Sequence, residues 1–148
     1  LALHPSETEL RLMARVVAFI LNASEDLVFC KGISDDDEPD LWEKDFDGSI
    51  KLWIELGQPD EKRIKKACGR SDKVIVYTYQ ENMAAPWFKQ IENNINRFKN
   101  LSIIHLNLDE DIEELAKRGM VLQCNISDEE LTLISNDKDV VVTHRKWN

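Results

Sequence analysis

From Leu10 onward, apolar residues recur at Met13, Val17, Ile20 and Leu21, the spacing of one face of a helix. Ser6 and Glu9 have the form of a capping box just ahead of that run, and together they predict a helix over about Glu7 to Asn22. "LVFCKGI" reads as a short strand and "SDDDEP" as a solvated loop. "PDLWEKDFDGSIKLWIELG", Pro39 to Gly57, then reads as a hairpin whose two-residue turn is Asp47-Gly48. A helix is predicted from Pro59, with Ile64, Ala67 and Cys68 on one face and Gly69 as its C-cap. "KVIVYTY" is apolar on both faces, the mark of a central strand. "AAPWFKQIENNINRFKN" places Phe88, Ile91, Ile95 and Phe98 on one helical face. "LSIIHLNL" is a strand, "DEDIEELAKRG" a short helix, and "VLQCNI", "LTLI" and "VVVTHRKW" are strands parted by polar turns. That order predicts an α/β layered domain, a mixed central sheet flanked by helices, with a β-rich C-terminal part. No internal repeat is evident.

Bulk composition narrows this only in places. A chain of 148 residues, 43% hydrophobic and without a Pro/Gly/Ser-rich linker, suits one domain over residues 1–148. No run approaches the roughly 18 apolar residues of a membrane span. The opening "LALHP" lacks a methionine and reads as the continuation of a segment whose beginning is absent. Cys30, Cys68 and Cys124 are odd in number and widely spaced, with no CxxC, so neither a disulfide framework nor a zinc site is indicated. The formal charge of -9 argues against strong nonspecific binding to nucleic acid, which draws on basic patches. It leaves room for a local site where a divalent cation offsets the acids.

The hairpin carries the candidate chemistry. With Asp47-Gly48 as the turn, Trp42 faces Trp53 and Asp40 faces Glu55. Opposite β-carbons lie about 4.5–5.5 Å apart, so two carboxylates there need a shared proton, a neighbouring cation or a metal. A pair of oxygen ligands plus waters suits magnesium. The same register sets Lys44 opposite Lys51 and Glu43 opposite Leu52. Plainer accounts stand beside each piece. Glu55 ends a strand and can pair with a helix lysine. Glu7 and Glu9 suit a first helical turn, and Arg11 and Arg15 suit ion pairs from Glu7. Asp35 to Glu38 suits a solvated loop, although Asp37 or Glu38 can supply a further ligand. Lys62 to Lys66 suits a basic helix face. Trp42 and Trp53 suit cross-strand packing more than base stacking, and Cys68 a small buried hydrophobe.

"HPSET" with Arg11, Met13 and Arg15, "DDEP" with Trp42, "LWIELG" and "PDEKRIKKA" together resemble the YaeQ family of bacterial proteins, and the likeness runs on through "VYTY". The resemblance implies a cytoplasmic protein with a compact PD-(D/E)XK, restriction-endonuclease-like fold. Family members carry a further β-rich segment ahead of this chain's first residue. By position, Glu7 becomes the helix acid, Asp40 the "PD" aspartate and Glu55 the second strand acid, with Asp40 and Glu55 as the metal ligands. Gly57 occupies the position where nucleases carry the lysine that serves the attacking water. The nearest replacement is Lys65 on the following helix, with Lys62 and Lys66 pointing further outward.

Two functions follow from these residues. One is a magnesium-dependent phosphodiesterase acting on nucleic acid, with Glu7, Asp40, Glu55 and Lys65 as its catalytic set. The other is an inactive nuclease-fold module that binds nucleic acid or a protein partner.

Overall fold

A computed structural model describes residues 9–30, 38–108, 123–127, 130–134 and 139–148. Its elements run α1 (Glu9–Leu21), β1 (Leu27–Phe29), β2 (Leu41–Lys44), β3 (Ile50–Leu56), α2 (Glu61–Arg70), β4 (Ser71–Thr78), α3 (Glu81–Ile95), β5 (Leu101–Asn107), β6 (Gln123–Ile126), β7 (Glu130–Ile134) and β8 (Asp139–Lys146). The helix expected in "DEDIEELAKRG" falls outside the described residues.

The eight strands form one curled mixed sheet in the order β1-β2-β3-β4-β5-β8-β7-β6. β3, β4 and β5 are parallel neighbours at its centre; every other pairing is antiparallel. Right-handed crossovers between parallel strands advancing in one direction put their helices on one face. Accordingly Ile64 and Ala67 of α2 and Ile91 and Ile95 of α3 share a core with Trp53, Val74, Val76 and Ile103. α1 covers the other face: Met13, Ala14 and Val17 pack with Leu41, Ile54, Leu56, Ile75, Leu106, Leu131, Leu133, Val140 and Val142. The curl brings β7 and β8 onto the same core as α1. No described helix is long and apolar enough to cross a membrane.

Three local expectations are corrected. The hairpin turn has three residues rather than two: Asp45 N donates to Ser49 O at 2.8 Å, Gly48 N donates to Asp45 O at 2.9 Å, and Gly48 has φ +88°. This is a type I turn closed by a left-handed glycine. Such a turn alone would shift every pair, but an irregularity beside Lys44 leaves Lys51 out of the ladder. Lys44 therefore faces Ile50, and beyond it Trp42 faces Trp53 and Leu41 faces Ile54. The two lysines are thus kept from facing each other. α2 begins after Pro59, with Asp60 as N-cap accepting from Arg63 N at 2.8 Å, and it runs through Gly69 to Arg70. α3 starts ahead of Ala84, holds Pro86 in its second turn and stops at Ile95. Pro86 forfeits one backbone bond there, while Phe88, Ile91 and Ile95 keep the apolar face.

Candidate functional site

Asp40 precedes β2 and Glu55 sits one residue before the end of β3, so the hairpin brings both to the carboxyl end of β3. Both are buried, at 2% and 6% exposure. Their side chains engage different helices.

Asp40 belongs to a closed ring of hydrogen bonds. Its Oδ1 accepts from Arg11 Nη2 of α1 at 2.7 Å, and its Oδ2 accepts from Leu56 N at 2.9 Å. Arg11 Nη1 donates to Leu56 O at 3.4 Å. Thus Asp40 and Arg11 take up the two backbone polar groups of Leu56, where the strand ends. Burial pushes the Asp40 carboxyl above its ordinary range, while Arg11 and the Leu56 N–H pull it down. Burial also opposes the Arg11 charge, and Asp40 and Tyr79 more than offset it.

Among the described residues, Glu55 takes its hydrogen bonds on one oxygen. Oε1 accepts from Trp53 Nε1 at 3.0 Å and Arg63 Nε at 2.8 Å, and it forms an ion pair with Arg63 Nη2 at 2.7 Å. Arg63 Nη2 also donates to Glu38 O at 2.7 Å, tying α2 to the segment that leads into Asp40. Burial raises the Glu55 carboxyl to about 7, with Arg63 opposing and the nearby Asp40 adding to the rise. Trp42 and Trp53 pack edge to face across the hairpin, 6.1 Å between centroids, so Trp53 both fills the core and donates to the acid.

The cation at Glu55 is therefore Arg63. Lys62, Lys65 and Lys66 are all exposed on α2, and the donors to Glu55 are Trp53 and Arg63. Gly57, at the lysine position, has φ +94° and donates its N–H to Tyr77 O at 2.9 Å. A β-carbon there would lie 3.6 Å from Arg11 Nη1, so a guanidinium already occupies the direction a side chain would take. Glu7 and Asp37 fall outside the described residues. Arg15, read as an ion-pair partner, donates to Cys30 O at 3.3 Å and lies over the Phe29 ring.

As they stand, these side chains do not fit a magnesium ion shared by Asp40 and Glu55. Both Asp40 oxygens and Glu55 Oε1 already accept from protein donors, and a guanidinium lies against each carboxylate. A divalent cation would meet two fixed positive charges. Among the described residues no group of three or more His, Cys, Asp or Glu is arranged to hold a metal.

Arg11, Glu55, Gly57, Gln58, Arg63, Tyr79 and Gln80 are among the residues lining one cleft of about 430 Å³. Gly57 and Gln58 follow β3, and Tyr79 and Gln80 follow β4, so the cleft lies outside the carboxyl ends of two parallel strands. Open α/β sheets bind ligands in that place.

A curled, mixed eight-stranded sheet with helices on both faces and two buried acids paired with arginines at the carboxyl end of β3 defines an α/β protein with a polar cleft. The chain belongs to the YaeQ family: the model described as "YaeQ protein" matches residues 1–144. It is 40% identical over 153 aligned positions to the Escherichia coli (strain K12) "Uncharacterized protein YaeQ", covering 99% of this chain and 82% of that one. The Salmonella typhi protein of the same name is 39% identical, with the same coverage. The fold is similar to the crystal structure of the YaeQ protein from Xanthomonas axonopodis pv. citri, with a TM-score of 0.88 and 40% identity over 100% of this chain and 85% of that one. The Pseudomonas syringae YaeQ structure gives a TM-score of 0.84 and 30% identity over 98% and 81%.

Proposed function

We propose that this chain has a PD-(D/E)XK, restriction-endonuclease-like fold that has exchanged catalysis for binding: a module that seats a nucleic-acid strand at the carboxyl ends of β3 and β4. The observation that carries the reading is the arginine at each acid. A nuclease of that class needs both carboxylates for its metal and a lysine for the attacking water. In this chain Asp40 and Glu55 are paired with Arg11 and Arg63, and position 57 is a left-handed glycine. The two guanidiniums open to one cleft with Gln58, Tyr79 and Gln80, a donor set suited to a backbone phosphate. With a net charge of -9, such contact is local and salt-sensitive rather than a broad electrostatic grip. The reading places the chain in the bacterial cytoplasm, where three free thiols stay reduced.

One observation favours the magnesium-dependent phosphodiesterase: Glu55 Oε2 has no partner among the described residues, and Glu55 lines the cleft. A single experiment separates the two. Single-stranded oligonucleotides are titrated by fluorescence anisotropy and then incubated with millimolar magnesium. The module predicts saturable binding that weakens with salt, and intact strands. Magnesium-dependent cleavage that disappears in Glu55→Gln would establish the enzyme instead. Absence of both binding and cleavage would move the choice to a protein partner.

A further inference from the structure

A second cavity, of about 580 Å³, is lined by Glu81, His105, Asn107, Glu130, Arg145 and Lys146 among others. Among the described residues it shares none with the Asp40–Glu55 cleft, and it does not depend on the nucleic-acid reading. His105 of β5 is 5% exposed. Its Nδ1 lies 2.8 Å from Thr78 Oγ1, and Trp147 Nε1 donates to that same oxygen at 2.9 Å. Thr78 is fully buried, so its hydroxyl proton needs an acceptor. Among the described residues that acceptor is His105 Nδ1. The reverse arrangement, with Nδ1–H donating, would leave the buried hydroxyl proton unmatched. Neutral His105 therefore carries its proton on Nε2, which has no partner among the described residues. Trp147 also packs edge to face on the imidazole, 5.7 Å between centroids, so the ring is held from two sides.

Arg145 stands directly opposite His105 in the β5–β8 register. Its guanidinium lies over the Trp147 ring and pairs with Glu81. Both partners of that pair are more than half exposed, and exposed pairs are weak and readily exchanged. Burial and Arg145 keep the imidazole below its ordinary range against the pull of Glu81, so it is neutral at pH 7.

We propose that His105 Nε2–H and the Arg145 guanidinium form a binding site for an oxyanion, a phosphate or carboxylate group of a small ligand, with Glu81 holding the guanidinium until the ligand displaces it. The test is long-range proton–nitrogen spectroscopy of the histidine rings at pH 7, titrating inorganic phosphate and, separately, acetate. The expected result is the Nε2–H tautomer at His105 in the free protein and a saturable shift of that nitrogen on titration. Arg145→Gln should weaken binding by about tenfold or more, the loss of one charge-assisted hydrogen bond. Glu81→Gln, an exposed substitution with little bearing on folding, should tighten it. Preference for phosphate identifies a phosphoryl ligand, and preference for acetate a carboxylate. An Nδ1–H tautomer, a shift that never saturates, or affinities unchanged by both substitutions would each overturn the site.

Discussion

At Glu55 burial and hydrogen bonding act in opposite directions. Two hydrogen bonds and the Arg63 ion pair on Oε1 favour the ionised carboxylate, whereas burial, with Asp40 nearby, favours the acid, and the balance lies at about 7. The unfolded chain releases this proton near 4.5, so between those values the folded state holds a proton the unfolded state has lost. The stability Glu55 contributes is complete below the unfolded value and is lost as pH rises through about 7, a change of about 3 kcal/mol. Glu55→Gln removes that dependence. Denaturant unfolding from about pH 5 to about pH 8.5 should show the variant gaining on wild type by roughly that amount; a constant difference would mean that Glu55 is ionised throughout. The placement of Asp40 and Glu55 at one end of the hairpin was legible in the sequence, because a hairpin register is a local property, set by apolar alternation and a glycine turn. Their partners were not. A search for a lysine passes over Arg63 in the same helical turn, and Arg11 meets Asp40 only once α1 lies on the sheet. His105 carries no signal in the local sequence, because Thr78 and Trp147 reach it from distant parts of the chain.

Where β3 ends, one residue makes the turn and shapes the site. Gly57 at φ +94° and Gly48 at φ +88° both adopt a conformation that costs other residues about 1–2 kcal/mol. A β-carbon at Gly48 meets nothing within 4 Å, and one at Gly57 meets Arg11 Nη1 at 3.6 Å, an ordinary contact. Alanine at either position should therefore cost a similar amount, about 1–2 kcal/mol by thermal or denaturant unfolding. A much larger loss at Gly57→Ala would show that crowding of Arg11, rather than backbone conformation, selects the glycine. By the same reasoning Gly57→Lys should lower stability without creating magnesium-dependent cleavage, read by incubating labelled strands with that variant. Most elements were legible from periodicity, and the errors gather at their ends. Gly69 looked like a cap because glycine so often is one, yet α2 continues for another residue and hands directly to β4 at Ser71. The hairpin lost its two-residue turn and kept its register, since the irregularity at Lys44 offsets the longer loop. Neither compensation leaves a mark in the local sequence.

Two cores share one sheet, and their composition says how the molecule should come apart. The α2–α3 core is built from neighbours in sequence, Trp42 to Ile103 apart from Trp147. The α1 core joins Met13, Ala14 and Val17 to Leu131, Leu133, Val140 and Val142, so the two ends of the described chain hold each other. The β-rich C-terminal part anticipated from its short strands is therefore a wall of that core, a role that depends on the curl of the sheet and is invisible to periodicity. If residues 1–148 are one domain, weakening that wall must weaken the whole. Leu133 is fully buried, and Leu133→Ala should cost about 2–5 kcal/mol, from lost apolar contact and the cavity left behind. Native-state hydrogen exchange should then show the amides of Val17 and Val76 losing protection by the same amount. They lie on opposite faces of the sheet, in different cores, and can fall together only if unfolding is a single event. Loss at Val17 with Val76 untouched would divide the chain into two cooperative units, and the carboxyl-edge cleft would then lie between α1 on one unit and α2 on the other.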